Sequence, residues 1–203
     1  MNIGIDIDDT ITYTYENMLP FVSVMYNKNL VDLYKAKPSY QELIKTLPNY
    51  DKFVHDTFPA MVKLVPLRPH VVEVLEKLKR DGHKLIFITA RSDDEYLGRA
   101  YEYSFEYLKV NKVPFDKLVI GSKNKSIDCI SNNIDLFIDD SSKHCKAVQR
   151  KGIPVIQMAN SFTSPVRGIR RAKDWNEVYD IIKEMWEFCE LLLFYWIDFN
   201  ILI

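Results

Sequence analysis

NIGIDIDDT, residues 2–10, is the stretch whose reading decides the fold. Its first half is a short apolar run of the kind that forms a buried strand. Its second half sets Asp6, Asp8 and Asp9 within four positions of one another. Residues two apart in a strand share a face. Asp6 and Asp8 are therefore expected to project together from the carboxyl end of the first strand, the edge at which open α/β sheets bind ligands. Two carboxylates that close repel unless something positive sits between them. Hard oxygen donors suit Mg²⁺, which retains several waters and pairs well with phosphate. The stretch alone also fits a polar strand end with a capping Asp, and it does not separate the two readings. Asp9 is expected to point the other way and to serve a local turn with Thr10.

Further along the chain, short β-rich runs at 84–89 (KLIFIT), 117–120 (KLVI), 134–138 (IDLFI) and 153–157 alternate with helical patterns at 69–80, 94–110 and 142–150. That alternation predicts an α/β fold, a mostly parallel, Rossmann-like sheet flanked by helices. LFIDDSS, 136–142, ends a second strand in the acids Asp139 and Asp140. If the two acid-tipped strands are neighbours, four carboxylates meet, an arrangement that is strongly destabilising without a cation. The third strand ends in Thr89, whose hydroxyl and neighbouring amides can hold a phosphate oxygen. Lys123 and Lys125 follow the fourth strand, where an ammonium could neutralise phosphate or carboxylate. Lys125 is preferred because it lies closer to the expected helix start. Taken singly, Thr89 also fits plain turn chemistry and the lysines a solvated loop.

About sixty residues between the first strand and the helix at 69 contain helix-like, aromatic-rich segments. A structureless loop of that length does not suit a compact domain, so a small helical insertion over 14–65 is expected. The core then comprises 1–13 and 66–190, with an apolar C-terminal tail at 191–203. The tail, interrupted by charges and shorter than the roughly 20 apolar residues a spanning helix needs, reads as an element docked on the domain or on a second copy, or as an altered reading frame. A homodimer contact through it stays open. With 203 residues and 47% of them hydrophobic, the chain can bury a substantial core. Its net charge of −1 excludes a broad basic field for nucleic acid. The N-terminus shows no signal-peptide pattern. The three cysteines, Cys129, Cys145 and Cys189, form no CxxC pair and fit buried thiols in a reducing, cytoplasmic compartment.

The ordered set DxDDT, a strand-terminal Thr, a Lys before a helix and a strand ending in DD resembles the haloacid dehalogenase superfamily of phosphohydrolases over about residues 3–160. The text FITAR, FDKLVIGSKNK and IDLFIDDS is similar to nucleotidases related to the cytosolic and mitochondrial 5′(3′)-deoxyribonucleotidases. The resemblance implies a Mg²⁺-dependent phosphomonoesterase with the helical insertion as a small cap. It implies Asp6 as nucleophile forming an aspartyl-phosphate, and Asp8 as proton donor and then base, helped to hold its proton by a crowded acidic site. Mg²⁺ would be held by the Asp6 carboxylate, the Asp8 carbonyl and Asp140, with Asp139 as a further ligand or outer-shell acceptor. Thr89 and Lys125 would bind the remaining phosphate oxygens. An acid at Asp8 favours phosphoryl transfer over dehalogenation, which does not need one.

The expected substrate is a small phosphate monoester, a (deoxy)nucleoside monophosphate first. A sugar phosphate or a nucleic-acid 3′-phosphate end is the alternative, and a non-catalytic phosphate-binding domain a further one. The intact acids Asp6, Asp8, Asp139 and Asp140 speak against a pure binder. A response-regulator receiver also carries strand-end acids, but its phosphorylated Asp follows the third strand and it lacks the long insertion. Arg91 is expected to pair with Asp93 or Asp94, with a substrate contact as second choice. His144 and Cys145 are assigned to packing or surface, and the aromatics at 13–58 mostly to core, with a nucleobase platform among them left open.

Overall fold

In the computed structural model, which describes residues 1–36, 43 and 46–186, the six strands β1 (Asn2–Ile5), β2 (Lys84–Ile88), β3 (Lys117–Val119), β4 (Leu136–Asp139), β5 (Val155–Met158) and β6 (Arg170–Ala172) form one sheet. Their order is β3-β2-β1-β4-β5-β6, and every pair is parallel. The central strands are apolar on both faces because helices cover both. Ile3, Ile5, Leu85, Phe87, Leu136 and Ile138 face one layer, made by α4 (Val71–Arg80), α5 (Ala100–Val110) and the helical residues 175–186. Ile86, Ile88, Phe137 and Val155 face the other, where α6 (Lys125–Ser131) contributes Cys129 and α7 (Ser142–Gln149) contributes Cys145 and Val148. Gly4 lies on that second face at a position where any side chain collides. A Cβ there would come within 2.9 Å of Phe137 and 3.0 Å of Ile134.

The expected helical insertion contains α1 (Thr14–Met25), α2 (Leu30–Ala36) and α3 (Tyr50–Leu64). These helices bury a cluster of their own, with Met18, Leu19 and Val22 packed among Phe53, Phe58 and Met61. Tyr96 and Ala100 join that cluster from the far side of β2, so the insertion rests on the core. Its two ends meet in a short antiparallel bridge between Thr12 and Leu67. The bridge is closed by Tyr13 N to Pro66 O (3.2 Å) and Arg68 N to Ile11 O (2.9 Å).

Several elements differ from expectation. The helix expected at 94–110 starts at Ala100, because Leu97 and Gly98 both take positive φ and break any helix before them. Asp93 then accepts a hydrogen bond from Ala100 N (3.0 Å) and caps the helix. The strand at 134–138 is shifted toward the acids, so Asp139 is its last residue. β6, with sequence RRA, has no apolar run and gave no signal. The tail 191–203 and Cys189 lie outside the described residues. Among the described residues, no helix is long and apolar enough to cross a membrane.

Candidate active site

β1 sits between β2 and β4, where the strand order reverses direction, so a crevice opens at the carboxyl ends of these three strands. A cavity of about 450 Å³ lies there. Its floor carries Asp6, Asp8, Asp9, Lys125 and Asp140, and its upper wall includes Tyr15, Met18 and Phe58 of the helical insertion. Sequence-distant residues therefore converge on one space. The neighbouring of β1 and β4 is what brings the two acid pairs together.

Asp6 continues the β1 ladder by donating its N–H to Ile138 O (2.9 Å). Its side chain is buried and ion-paired with the Lys125 ammonium. Lys125 Nζ also donates to Ile88 O (2.6 Å) and lies 3.5 Å from Asp139. Burial pushes the Asp6 carboxyl up to about 6 against the pull of Lys125. Lys125 sits at the first turn of α6, whose N-cap Asn124 accepts from Ser126 N. The preference for Lys125 over Lys123 thus acquires a geometric basis, with Lys125 in the cavity.

Asp8 also faces the cavity. Arg91 grips it through two hydrogen bonds, Nε to Oδ2 (2.9 Å) and Nη2 to Oδ1 (2.7 Å), and Thr14 Oγ1 donates to Oδ1 (2.7 Å). Two expectations are corrected here. Arg91 pairs with Asp8 and not with Asp93 or Asp94, because residue 91 turns inward from the end of β2 and is buried, while Asp94 stays exposed. And the crowded acids do not raise the Asp8 proton affinity. Burial acts in that direction, but the Arg91 guanidinium, with the Thr14 hydroxyl and Lys125, outweighs it and holds the carboxyl below its ordinary range.

Asp9 is corrected as well. The chain leaves the β1 ladder and turns, and Asp9 takes a left-handed conformation (φ 57°) that points its carboxylate into the cavity. There it caps the start of α1 by accepting from Tyr15 N (2.9 Å), not a turn with Thr10. Burial raises its carboxyl to about 7. Thr10 instead ties the two acidic loops together, its hydroxyl accepting from Asp140 N (3.1 Å).

Asp139 is fully buried. One carboxylate oxygen accepts from Ser141 N (2.7 Å), and the other faces His144 Nδ1 at 3.2 Å and Lys125. Burial opposes its ionisation, yet Lys125 and His144 hold it below the ordinary value. Asp140 reaches the cavity, and burial together with Asp139 and Asp9 holds its carboxyl well above the ordinary value. Carboxylate oxygens of Asp6, Asp139 and Asp140 lie within 4.8 Å of one another. This is an all-oxygen donor set of the kind that fits a small hard cation such as Mg²⁺. Thr89 is fully buried, and its hydroxyl accepts from Arg91 N (3.2 Å); Ala90 and Arg91 line the cavity beside it.

Besides Thr14, four contributors away from the β1 acids escaped sequence reading. Arg68, buried at the exit of the insertion, donates to Asp9 O (2.8 Å), Thr12 O (3.3 Å) and Ala159 O (3.1 Å). Asn160 donates to Asp140 Oδ2 (2.8 Å). Phe162 packs on Tyr15 with ring centroids 4.1 Å apart, and Thr163 lines the cavity. The last three belong to the loop after β5, where the edge-of-sheet rule could have pointed to them.

Acids from two adjacent strands around a buried lysine, under a helical roof, define a haloacid dehalogenase-like fold and site. Solved structures agree on the fold. A predicted phosphatase from Clostridium acetobutylicum superposes with a TM-score of 0.67 at 18% identity, covering 90% of this chain and 98% of that one. A predicted phosphoglycolate phosphatase from Haemophilus somnus 129pt gives 0.62 at 16% identity, covering 89% and 97%. Residues 1–186 match the family described as 5′ nucleotidase, deoxy (pyrimidine), cytosolic type C protein (NT5C), and the chain belongs to that family. A Bacillus cereus protein described as a candidate nucleotidase is 30% identical over 118 residues, which span 57% of this chain and 60% of that protein.

Proposed function

We propose that the protein is a Mg²⁺-dependent phosphomonoesterase acting on (deoxy)nucleoside monophosphates. The observation that carries this reading is the Asp6 carboxylate, buried beside the Lys125 ammonium in a cavity roofed by the helical insertion. The match to the nucleotidase family over residues 1–186 supports the substrate class.

Asp6 attacks phosphorus as nucleophile, forming an acyl-phosphate as the ester oxygen departs. Water then cleaves that intermediate and releases inorganic phosphate. Asp8 supplies the proton to the departing alkoxide and takes one from the attacking water. Arg91 holds Asp8 ionised at rest, so Asp8 acquires its proton after the phosphoryl anion enters and like-charge proximity raises its proton affinity. Lys125 and the Thr89 turn hold the non-bridging oxygens. Asp6, Asp140 and the Asp8 carbonyl would hold Mg²⁺. Asp139 acts as an outer acceptor, since its own oxygens are engaged by Ser141, His144 and Lys125. When bound, the cation neutralises charge on the phosphoryl group. Tyr15, Phe58 and Phe162 offer aromatic surface for a base. The buried free thiols Cys129 and Cys145 accord with the reducing cytoplasm.

Phosphate release from ribo- and deoxyribonucleoside 5′- and 3′-monophosphates and from sugar phosphates, with Mg²⁺ and with EDTA, tests this. Release that needs Mg²⁺, fails in Asp6→Asn and is fastest on nucleotides is the expected result. Preference for sugar phosphates refutes the substrate, and activity retained by Asp6→Asn refutes the mechanism.

A further inference from the structure

Asp140 is held in an unusual way. Its main chain is fixed on both sides, by Asp140 N to Thr10 Oγ1 (3.1 Å) and by Gln157 Nε2 to Asp140 O (3.0 Å). Its carboxylate, among the described residues, receives one protein hydrogen bond, from Asn160 Nδ2 to Oδ2 (2.8 Å). The amide orientation of Asn160 follows from its surroundings. Phe162 N (2.9 Å), Thr163 N (2.8 Å) and Thr163 Oγ1 (2.8 Å) all converge on Oδ1, which leaves Nδ2 to face Asp140. Arg171 braces the same loop from behind, donating to Asn160 O (3.0 Å) and Thr163 O (2.9 Å). The loop's Phe162 in turn packs on Tyr15 of the helical insertion. Asn160 thus joins three things: an acid of the cavity floor, the turn of its own loop, and through that turn the aromatic wall.

We propose that Asn160 is a positioning residue: it fixes one oxygen of Asp140 so that the other is presented to the cation. The inference rests on the reading of Asp140 as a Mg²⁺ ligand. A donor that pins one carboxylate oxygen removes the rotational freedom a ligating side chain otherwise loses on binding. Replacing such a partner lowers metal affinity by about 10–100-fold.

The test is calorimetric titration of Mg²⁺ into substrate-free protein, comparing wild type with Asn160→Ser, Asp140→Asn and the double variant. Serine keeps an oxygen for the Phe162 and Thr163 amides, as Ser hydroxyls do in turns, but it is too short to reach Asp140. Asn160→Ser is expected to weaken Mg²⁺ binding about 10–100-fold. Added to Asp140→Asn, Asn160→Ser is expected to cause no further loss, because it acts through that carboxylate. Wild-type affinity in Asn160→Ser overturns the proposal. So does an equal further loss in the Asp140→Asn background, and so does an Asn160→Ser protein that fails to fold, which would assign the residue to the fold alone. A wild-type protein that binds no Mg²⁺ also overturns it. Mg²⁺ binding that responds to Asn160→Ser in a protein releasing phosphate from no monoester upholds this inference and refutes the proposed activity.

Discussion

Replacing Arg91 with methionine tests the least anticipated contact of the cavity. The Arg91 side chain is 2% exposed and Asp8 30%. The pair is bidentate, and the guanidinium also lies 5.9 Å from the ring centres of Tyr96 and Tyr107. Methionine fills much of the buried stem but leaves the Asp8 carboxylate without its partner. Orphaning one member of a buried pair costs about 3–5 kcal/mol. Water reaches Asp8 in part, so the lower end applies, and the lost ring contacts add about 0.5–1 kcal/mol. A loss of about 3–4 kcal/mol is expected. At roughly 2–4 °C per kcal/mol for a chain of this size, the melting temperature falls by about 6–16 °C. The pH dependence supplies a second check. In the wild type the Asp8 value is depressed, so its contribution is fully present above the unfolded value near 3.8 and is lost as pH falls through the folded one. In Arg91→Met burial is opposed only by the Thr14 hydroxyl and Lys125, the folded value rises above the unfolded one, and acid stabilises the variant through that window. The difference between the two proteins is therefore largest at neutral pH and narrows toward pH 4. Urea unfolding at pH 7.5 and pH 4.5, with unchanged m-values, measures both. A loss below about 1 kcal/mol, or a gap that widens on acidification, refutes the assignment of a buried, charge-assisted pair.

Lys125→Met is expected to destabilise the protein at pH 8 by leaving Asp6 and Asp139 facing each other, with a deficit that shrinks as pH falls from 8 toward 6, because loss of the ammonium lifts Asp6 above its wild-type value of about 6 and the variant takes up its proton first. A pH-independent deficit in the same urea titrations would refute that. Gly4→Ala places a methyl against Phe137 and Ile134 and is expected to lose about 1–3 kcal/mol by overpacking; thermal unfolding equal to wild type counts against the packing described. Trp175→Ala removes a fully buried indole whose Nε1 donates to Thr10 O (3.1 Å). A loss of about 3–5 kcal/mol is expected, and chemical denaturation showing under 2 kcal/mol would contradict it.

What could be read in the sequence had a periodic signal or an ordered one. The five main apolar runs each became a strand within two residues, because strands buried on both faces need unbroken apolar segments. The acids were legible because they stand where apolar runs end, and the motif order linked them across more than a hundred residues. What stayed hidden depends on tertiary contact. Arg91 has acids two and three residues ahead, and local sequence pointed to those; only the fold brings Asp8 within reach. Asp9 was misplaced because strand alternation was extended past Ile5, where the ladder gives way to a turn. β6 carries two arginines at a sheet edge, a pattern that resembles surface loop as much as strand. Arg68 and Asn160 work mainly through backbone carbonyls and amides, which leave no mark in residue type.

The location of the helical insertion follows from these same contacts. It leaves the core directly after the acids and returns at Arg68, so its entry and exit segments are two ends of one neck. Arg68 spans that neck, bonding Asp9 O and Thr12 O on the way in and Ala159 O on the loop that carries Asn160 and Phe162. Asp9 in turn holds the first turn of α1 through Tyr15 N, and Phe162 packs on the Tyr15 ring. A tilt of α1 relative to the sheet therefore acts directly on the backbone of the β1 acids and on the loop that supports Asp140. The first turn of the roof is joined to the floor by hydrogen bonds from Tyr15 N to Asp9 and from Thr14 to Asp8, and Arg68 ties the neck to the loop after β5, so any displacement of the insertion bears on the carboxylates beneath it.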